Sequence, residues 1–142
     1  MPVAHILNQK GRSVITVSPD QSLQDVAQVL ARHRIGAVVV AGPDGEIAGI
    51  LSERDVVKAI AAEGGKALVL KAKDAMTAKV RTCSPGDTES ELMSMMTEHR
   101  IRHLPVVEKG KLAGMISIGD VVKAHHAALS QENHYLKCYI HG

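Results

Sequence analysis

Residues 49–59 read Gly-Ile-Leu-Ser-Glu-Arg-Asp-Val-Val-Lys-Ala, and residues 114–124 read Gly-Met-Ile-Ser-Ile-Gly-Asp-Val-Val-Lys-Ala. In both stretches an apolar run leads into Ser, Asp follows three residues later, and Val-Val-Lys-Ala comes next. The apolar run predicts a buried strand, and Ser followed by Asp at this spacing is typical of a helix N-terminus. The chain therefore contains one predicted strand-to-helix junction twice.

Each predicted junction brings a hydroxyl, a carboxylate and unpaired backbone N–H groups together. The pairs are Ser52 with Asp55 and Ser117 with Asp120. Such groups at a helix N-terminus are suited to holding a sugar phosphate. The alternative is that Ser and Asp serve only as helix caps, which is their ordinary structural role.

The duplication extends well upstream of the junctions. Three further pairs of segments match: 16–19 (TVSP) with 82–85 (TCSP), 33–35 (HRI) with 99–101 (HRI), and the turn 42–45 (GPDG) with the shorter turn 109–110 (KG). Similarity at a nearly fixed spacing indicates a repeated structural unit. A turn is where such a unit tolerates a change in length.

Both halves predict the order strand, helix, strand, strand, helix. The predicted strands are 14–17, 37–41 and 47–51 in the first half and 80–83, 104–107 and 112–116 in the second, and capping boxes at Ser22 and Thr88 open the first helices. The closing helix of the first half is predicted to stop at Gly64-Gly65, whereas the second is predicted to run to about residue 140. Pro105 predicts an edge or irregular strand, whose backbone could face a ligand.

These boundaries predict the domain organisation. The first repeat covers 1–65, a linker covers 66–74, the second repeat covers 75–130, and a helical tail covers 131–142. We expect the tail to protrude and to contact a second subunit.

Composition argues against several classes of protein. The 142 residues are 45% hydrophobic and carry a formal net charge of +2, so strong attraction to nucleic acid or to an anionic membrane is not indicated. There is no Phe or Trp on which bases could stack. No apolar run approaches the length of a membrane span, and Cys83 and Cys138 are far apart, which favours a cytoplasmic protein with reduced thiols.

A catalytic role requires a nucleophile, a base and an activating group within reach of one another. The eight histidines form no His-Glu-x-x-His or comparable spacing. We therefore expect no metal site, no catalytic residue and no catalytic cofactor.

The two copies resemble the CBS domain, named after cystathionine β-synthase, and together they resemble a tandem CBS pair. Residues 51–57 (LSERDVV) and 102–107 (RHLPVV) carry the resemblance most specifically, and it covers nearly the whole chain. The chain is similar to small free-standing bacterial CBS-pair proteins. The resemblance implies an α/β (α+β) fold in which two β-α-β-β-α repeats are related by a pseudo-twofold axis.

The resemblance also implies a non-catalytic sensor that binds adenosyl ligands in a cleft between the repeats. The ligands of the family are AMP, ADP, ATP, NAD-type dinucleotides and S-adenosylmethionine, and they act as regulatory ligands. The implied partners are a second copy of the chain and a regulated protein that the sequence does not identify. The alternative is a ligand-independent module for dimerisation and protein interaction.

The family's binding positions fall on matching residues of both copies. The ribose-binding carboxylates are implied to be Asp55 and Asp120, with the hydroxyls of Ser52 and Ser117 before them and Thr16 and Thr82 on the first strands. The segments implied to contact adenine are Ile35, Gly36, Ala37 and Val38 in the first copy and Arg102, His103, Leu104 and Pro105 in the second.

The two copies differ where a phosphate is expected. The second has Arg102 and His103 where the first has Gly36 and Ala37. The sequence therefore predicts unequal sites, the second being better suited to a phosphate. The first is expected to rely on Arg54 or Lys10, or to accept only a nucleoside.

Overall fold

The computed structural model describes residues 1–141, with side chains described for residues 1–130. The chain divides into two compact units. The first unit is Val14–Arg81, and the second unit combines Met1–Ser13 with the chain from Thr82 onward. Both units mix helices and strands, as an α+β fold requires.

Most elements match the two predicted repeats, whereas the helices at 3–10, 64–69 and 72–75 were not predicted. In chain order the elements are α1 (Val3–Lys10), β1 (Thr16–Val17), α2 (Leu23–His33), β2 (Ala37–Ala41), β3 (Ile47–Ser52), α3 (Glu53–Glu63), a 3-10 helix (Gly64–Val69), α4 (Ala72–Ala75), α5 (Glu89–His99), β4 (His103–Glu108), β5 (Lys111–Ser117) and α6 (Ile118–His141). The length of α6 agrees with the predicted long last helix. The expected subunit contact of the tail falls on side chains outside those described.

The first unit contains a three-stranded sheet in the order β1-β2-β3. Strand β1 runs parallel to β2, and β2 pairs antiparallel with β3 through the turn at 42–45. Apolar side chains of the sheet, of α2 and of the segment after α3 form one core: Val17, Leu23, Val26, Leu30, Val38, Val40, Leu51, Ala67 and Ala72. The predicted linker thus contributes to the core of this unit.

The second unit contains the antiparallel hairpin β4-β5. Lys109 and Gly110 both have positive φ (53° and 76°), as a two-residue hairpin turn requires. The predicted first strand at 80–83 is reduced to a single parallel bridge between Cys83 and Val106. Cys83 donates its N–H to the Pro105 carbonyl (3.0 Å) and accepts from Val107 N–H (2.8 Å).

The repeated His-Arg-Ile sequence is a helix C-terminus in both units. Arg34 and Arg100 end α2 and α5, and each has a left-handed conformation with φ of 54°. The next residue, Ile35 or Ile101, donates its N–H back to a carbonyl five residues earlier, at 3.1 and 3.0 Å. This is the Schellman arrangement, so the motif is explained by helix capping.

The N-terminal helix packs in a different unit from the repeat to which the sequence assigned it. Helix α1, which was assigned to the first repeat, buries Val3, Ile6 and Leu7 in the core of the second unit. The other members of that core come from β4, β5, α5, α6 and the segment before α5: Cys83, Leu92, Met96, Leu104, Val106, Ile116, Val121 and Ala124. The second core therefore depends on a segment that is distant in sequence.

Residues 1–10 and 70–79 occupy equivalent places in the two units, and we call them the exchanged segments. Residues 1–10 come before β1 and pack in the second unit, and residues 70–79 come before Thr82 and pack in the first unit. The matching backbone hydrogen bonds are Val3 N–H to Asp87 O and Ala72 N–H to Gln21 O (both 2.8 Å), with Glu89 N–H to Met1 O (3.0 Å) and Leu23 N–H to Leu70 O (2.8 Å).

One side chain of each exchanged segment packs against a glycine of the strand that leads into the junction. An added Cβ at Gly114 would lie 2.6 Å from Leu7 Cδ2, and one at Gly49 would lie 2.5 Å from Met76 Sδ. At such distances an added Cβ would force a neighbouring atom to shift, so glycine accommodates the incoming side chain without rearrangement. This close approach accounts for the glycine that begins both quoted stretches.

Within the described part of the chain, no helix combines the length and apolar character needed to cross a membrane.

Candidate functional site

The first junction lies where β3 ends at Ser52 and α3 begins at Glu53. The Asp55 carboxylate accepts hydrogen bonds at Oδ2 from Ser52 N–H (2.9 Å) and Ser52 Oγ (3.1 Å). In return, Ser52 Oγ accepts from Asp55 N–H (3.3 Å). This reciprocal pair is a capping box, which fixes the carboxylate at the start of the helix.

The second junction repeats this geometry where β5 ends at Ser117. Asp120 Oδ2 accepts from Ser117 N–H (2.9 Å), and Ser117 Oγ accepts from Asp120 N–H (3.2 Å). Both carboxylates are partly buried. The prediction that each copy holds a hydroxyl and a carboxylate at a strand-to-helix junction is confirmed.

A neighbouring strand is attached to each junction by one backbone hydrogen bond. Glu53 N–H donates to Gly36 O (2.9 Å), and Ile118 N–H donates to Arg102 O (2.8 Å). Gly36 and Arg102 occupy equivalent positions just before β2 and β4. The structure therefore brings these two predicted binding residues to the Ser and Asp of their own units.

The next residue of each predicted binding segment, Ala37 or His103, is placed beside its junction by antiparallel strand pairing. Ala37 lies opposite Ser52 and His103 lies opposite Ser117 in the antiparallel ladders. His103 is half-buried, whereas Ala37 is buried. An imidazole thus stands beside the second junction where the first has only a methyl group.

The remaining predicted positions differ in what they can offer. Val38 and Leu104 are fully buried in the two cores, so any ligand would meet their backbone. Pro105 is buried, and its carbonyl already accepts the Cys83 N–H. The expectation that the Pro105 backbone faces a ligand instead of a neighbour is therefore wrong for its carbonyl.

Three further predicted binding residues, Thr16, Thr82 and Ile35, are not part of the hydrogen-bonded Ser and Asp pairs. Thr16 and Thr82 are exposed, and Thr16 pairs with Val39 in the middle of β2. Ile35 packs against the core of the first unit from a partly buried position. Within the described residues, none of the three makes a hydrogen bond to the Ser or Asp side chains of the junctions.

Arg54 and Arg102 are exposed cations beside the two junctions. Neither guanidinium forms an ion pair with a residue whose side chain the structure describes. Both are therefore available to an anion.

Lys10 is placed differently from the sequence expectation. Its Nζ lies 2.6 Å from Asp120 Oδ2 and 2.8 Å from the Met115 carbonyl oxygen, at the second junction. The expectation that Lys10 assists the first site is wrong, because α1 packs in the second unit. The side chains of Lys10 and Asp120 are 38% and 25% exposed, so the pair is only partly screened by water.

The ion pair changes the acidity of the second junction. Burial by itself would raise the pKa of Asp120, but hydrogen bonds from Lys10 Nζ and Ser117 N–H, together with the Lys10 charge, bring that pKa below its ordinary value. Asp120 is therefore ionised at neutral pH and has a cation in contact with it.

The sequence comparison did not place Lys10 at the second junction. The similarity that would have shown this lies between the two exchanged segments. Lys10 follows Leu7 by three residues, and Lys79 follows Met76 by three residues. Leu7 and Met76 are the side chains that pack on Gly114 and Gly49. Lys10 comes six residues before Thr16, whereas Lys79 comes three residues before Thr82. An alignment of the two strands therefore does not align the two lysines.

The described residues contain no cluster of metal ligands. No set of three His, Cys, Asp or Glu side chains there could hold a metal ion. Cys83 is free and buried, and burial, with a smaller effect of the Asp87 charge, raises the pKa of its thiol to about 12. Cys138 lies among the side chains outside those described.

Comparison with known proteins gives matches along the chain. The family described as CBS domain matches residues 4–62 and 72–127. A crystal structure of a CBS-domain containing protein from Agrobacterium tumefaciens is 50% identical, covers 87% of this chain and 92% of its own, and has a TM-score of 0.86. A mitochondrial CBS domain-containing protein of Arabidopsis thaliana is 33% identical over 99% of this chain and 72% of its own length.

A third similar protein was solved with a nucleotide. It is a CBS domain protein from Pyrobaculum aerophilum complexed with AMP, 28% identical, with a TM-score of 0.75, covering 84% of this chain and 89% of its own.

Replacing Lys10 with Met tests the ion pair. We expect the pKa of Asp120 to rise in Lys10→Met, since a hydrogen bond and an opposite charge are lost, as measured by NMR titration of the carboxyl group. A carboxylate with a lowered folded-state pKa stabilises the fold above about pH 4, and that stabilisation is lost as the pH falls through the folded-state pKa. The difference in unfolding free energy between wild type and variant should therefore be present at pH 7 and shrink in acid.

The matched control is Lys79→Met, which removes the same charge at the equivalent position of the other exchanged segment. It should leave the pKa of Asp120 unchanged. An identical Asp120 pKa in wild type and Lys10→Met would contradict the ion pair.

Proposed function

This chain belongs to the CBS domain family, and from that membership we propose that it is a non-catalytic regulatory module that binds adenosyl ligands at its two Ser-x-x-Asp junctions. The ligand class is AMP, ADP, ATP, an NAD-type dinucleotide or S-adenosylmethionine. In this proposal the nucleotide acts as a regulatory ligand and no catalytic cofactor takes part.

One observation carries the proposal. Asp55 and Asp120 both make their capping hydrogen bonds through Oδ2, and Oδ1 of neither carboxylate has a partner among the described residues. The vicinal hydroxyls of a ribose are donors that such an oxygen can accept. A hydrogen bond to a charged group contributes roughly 1.5 to 3 kcal/mol, so two of them would anchor the sugar. AMP in the Pyrobaculum aerophilum protein supports this class of ligand.

The adenine would be held without aromatic stacking, because the sequence has no Phe or Trp. We assign its contacts to the segments that the junctions hold in place, Ile35, Gly36, Ala37 and Val38 in the first unit and Arg102, His103, Leu104 and Pro105 in the second. In this proposal the purine edge meets backbone groups of these segments that are not bonded elsewhere, Pro105 contributes only its ring, and aliphatic contact contributes about 25 cal/mol per Å² buried. Thr16 and Thr82 are the further proposed contacts.

The proposed sites are unequal. Arg102 is exposed and His103 is half-buried at the second junction, whereas Gly36 and Ala37 offer no charge at the first. At the first junction we assign the phosphate contact to the exposed Arg54. We therefore propose that a phosphorylated adenosine binds mainly at the second junction.

A second candidate function is ligand-independent association. Val57 on α3 and Val122 on α6 occupy the same position of the repeat and are 64% and 51% exposed. Ile60 on α3 and Leu129 on α6 are also exposed, at 45% and 46%. Apolar side chains aligned on a helix face favour contact with another protein surface, and we propose a second copy of this chain as the partner.

Ligand binding should raise the melting temperature of the purified protein. A ligand that binds only the folded state and is present at 100 times its dissociation constant adds about 2.7 kcal/mol of stability. We expect at least one of AMP, ATP, NAD and S-adenosylmethionine to produce such a shift at millimolar concentration. If none does, while the protein still associates, the interaction module becomes the better account.

Association should be visible by light scattering at micromolar protein. We expect twice the chain mass of 15.1 kDa, with or without ligand. The matched variants Val57→Asp and Val122→Asp should reduce the mass toward that of the monomer, because a charge in an apolar contact is costly to desolvate. A wild-type protein that stays at the monomer mass would exclude the dimer.

A further inference from the structure

The two junctions have the same hydrogen-bond geometry but a different charge. Asp120 has the Lys10 ammonium at 2.6 Å, whereas Asp55 forms no ion pair with a described residue. Arg54 is close in sequence to Asp55, but its exposed guanidinium is not paired with that carboxylate. Within the described side chains, the Asp120 carboxylate is therefore neutralised by an ammonium in contact with it, and the Asp55 carboxylate has no such contact.

The exchanged segments explain this difference. After Leu7, helix α1 continues for one further turn to Lys10 and ends at Gly11, whose φ is 107° and whose N–H donates to the Leu7 carbonyl (2.7 Å). That last turn places the ammonium between Asp120 and the Met115 carbonyl.

The equivalent segment of the first unit becomes extended instead. After Met76, Thr77 forms a two-way bridge with Ile50, with N–H to O distances of 2.9 and 3.0 Å. The Ile50 carbonyl, which corresponds to Met115 in the repeat, is thus bonded by a backbone N–H rather than by a lysine. Lys79 is exposed and has no ion pair among the described residues.

The electrostatic repulsion of an anionic ligand would differ between these two carboxylates. A phosphate beside an uncompensated carboxylate is repelled, and a partly buried setting strengthens that repulsion. At the second junction the ammonium cancels the carboxylate charge. It also has three donors, two of which are bonded to Asp120 and Met115, so one remains for a phosphate oxygen.

A ribose can bind Asp120 while the ion pair between Lys10 and Asp120 stays intact. Lys10 contacts Oδ2 of Asp120, and Oδ1 has no partner among the described residues. The sugar hydroxyls and the ammonium can therefore occupy the same carboxylate together.

We propose that Lys10 is the specificity-determining residue that makes the Asp120 junction accept a phosphorylated rather than an uncharged adenosine. The inference rests on the proposed function and assigns its selectivity to a residue of α1. Lys10 contributes by neutralising Asp120 and by donating to the phosphate.

Calorimetry with AMP and adenosine on wild type, Lys10→Met and Lys79→Met tests this assignment. In Lys10→Met we expect AMP to bind about tenfold more weakly while the affinity for adenosine changes little, since only the charged ligand loses an attraction. Lys79→Met removes the same charge from the equivalent position and should leave the ratio of AMP to adenosine affinity at its wild-type value. Because both ligands are measured on the same variant, a general loss of stability does not change the ratio.

The other outcomes are distinct. If wild type binds AMP and adenosine but Lys10→Met keeps the same affinity ratio, or Lys79→Met shifts it equally, the role of Lys10 is wrong and the proposed function stands. If Lys10→Met binds both ligands more tightly, Lys10 competes for Asp120 and the assignment is also wrong. If wild type binds neither ligand nor any other adenosyl compound, the proposed function itself fails and the inference falls with it.

Discussion

The packing of Leu7 against Gly114, and of Met76 against Gly49, is the contact on which the rest of the structure depends. Each side chain enters a space that a β-carbon would fill, on the strand that leads into a junction. Leu7 is fully buried and Met76 is partly buried, and removal of a buried Leu side chain costs about 2 to 5 kcal/mol. Each unit therefore needs a segment from outside its own repeat to complete its core.

This arrangement lets two similar junctions acquire different electrostatics. The Ser and Asp hydrogen bonds are nearly identical in the two units because the capping box dictates them. The exchanged segments share their packing residue but differ after it, one remaining helical and the other extended. A cation reaches Asp120 as a result, and the equivalent lysine forms no ion pair within the described residues.

The sequence predicted the parts of the fold that local patterns determine. Apolar runs located five strands, although a sixth predicted at 80–83 is only a bridge, the turn residues located the hairpins, and Ser-x-x-Asp and Thr-x-x-Glu located helix starts. The candidate site residues Gly36, Ser52 and Asp55 could be predicted to lie together because capping and strand pairing are short-range. The place of Lys10 could not be predicted in this way. It depends on a packing contact more than one hundred residues distant in sequence, and on whether the turn after Leu7 stays helical.

The most direct test of unequal adenosyl sites is the affinity for AMP of Asp55→Ala and Asp120→Ala, measured by calorimetry against wild type. Both substitutions remove the capping hydrogen bond from the Ser N–H; Asp55→Ala also removes the bond from Ser52 Oγ, and Asp120→Ala also removes the ion pair with Lys10. The account predicts that Asp120→Ala weakens AMP binding about tenfold to a hundredfold, as expected from the loss of one or two charge-assisted hydrogen bonds, and that Asp55→Ala weakens it less. Equal losses in the two variants, or no loss in either, would contradict it.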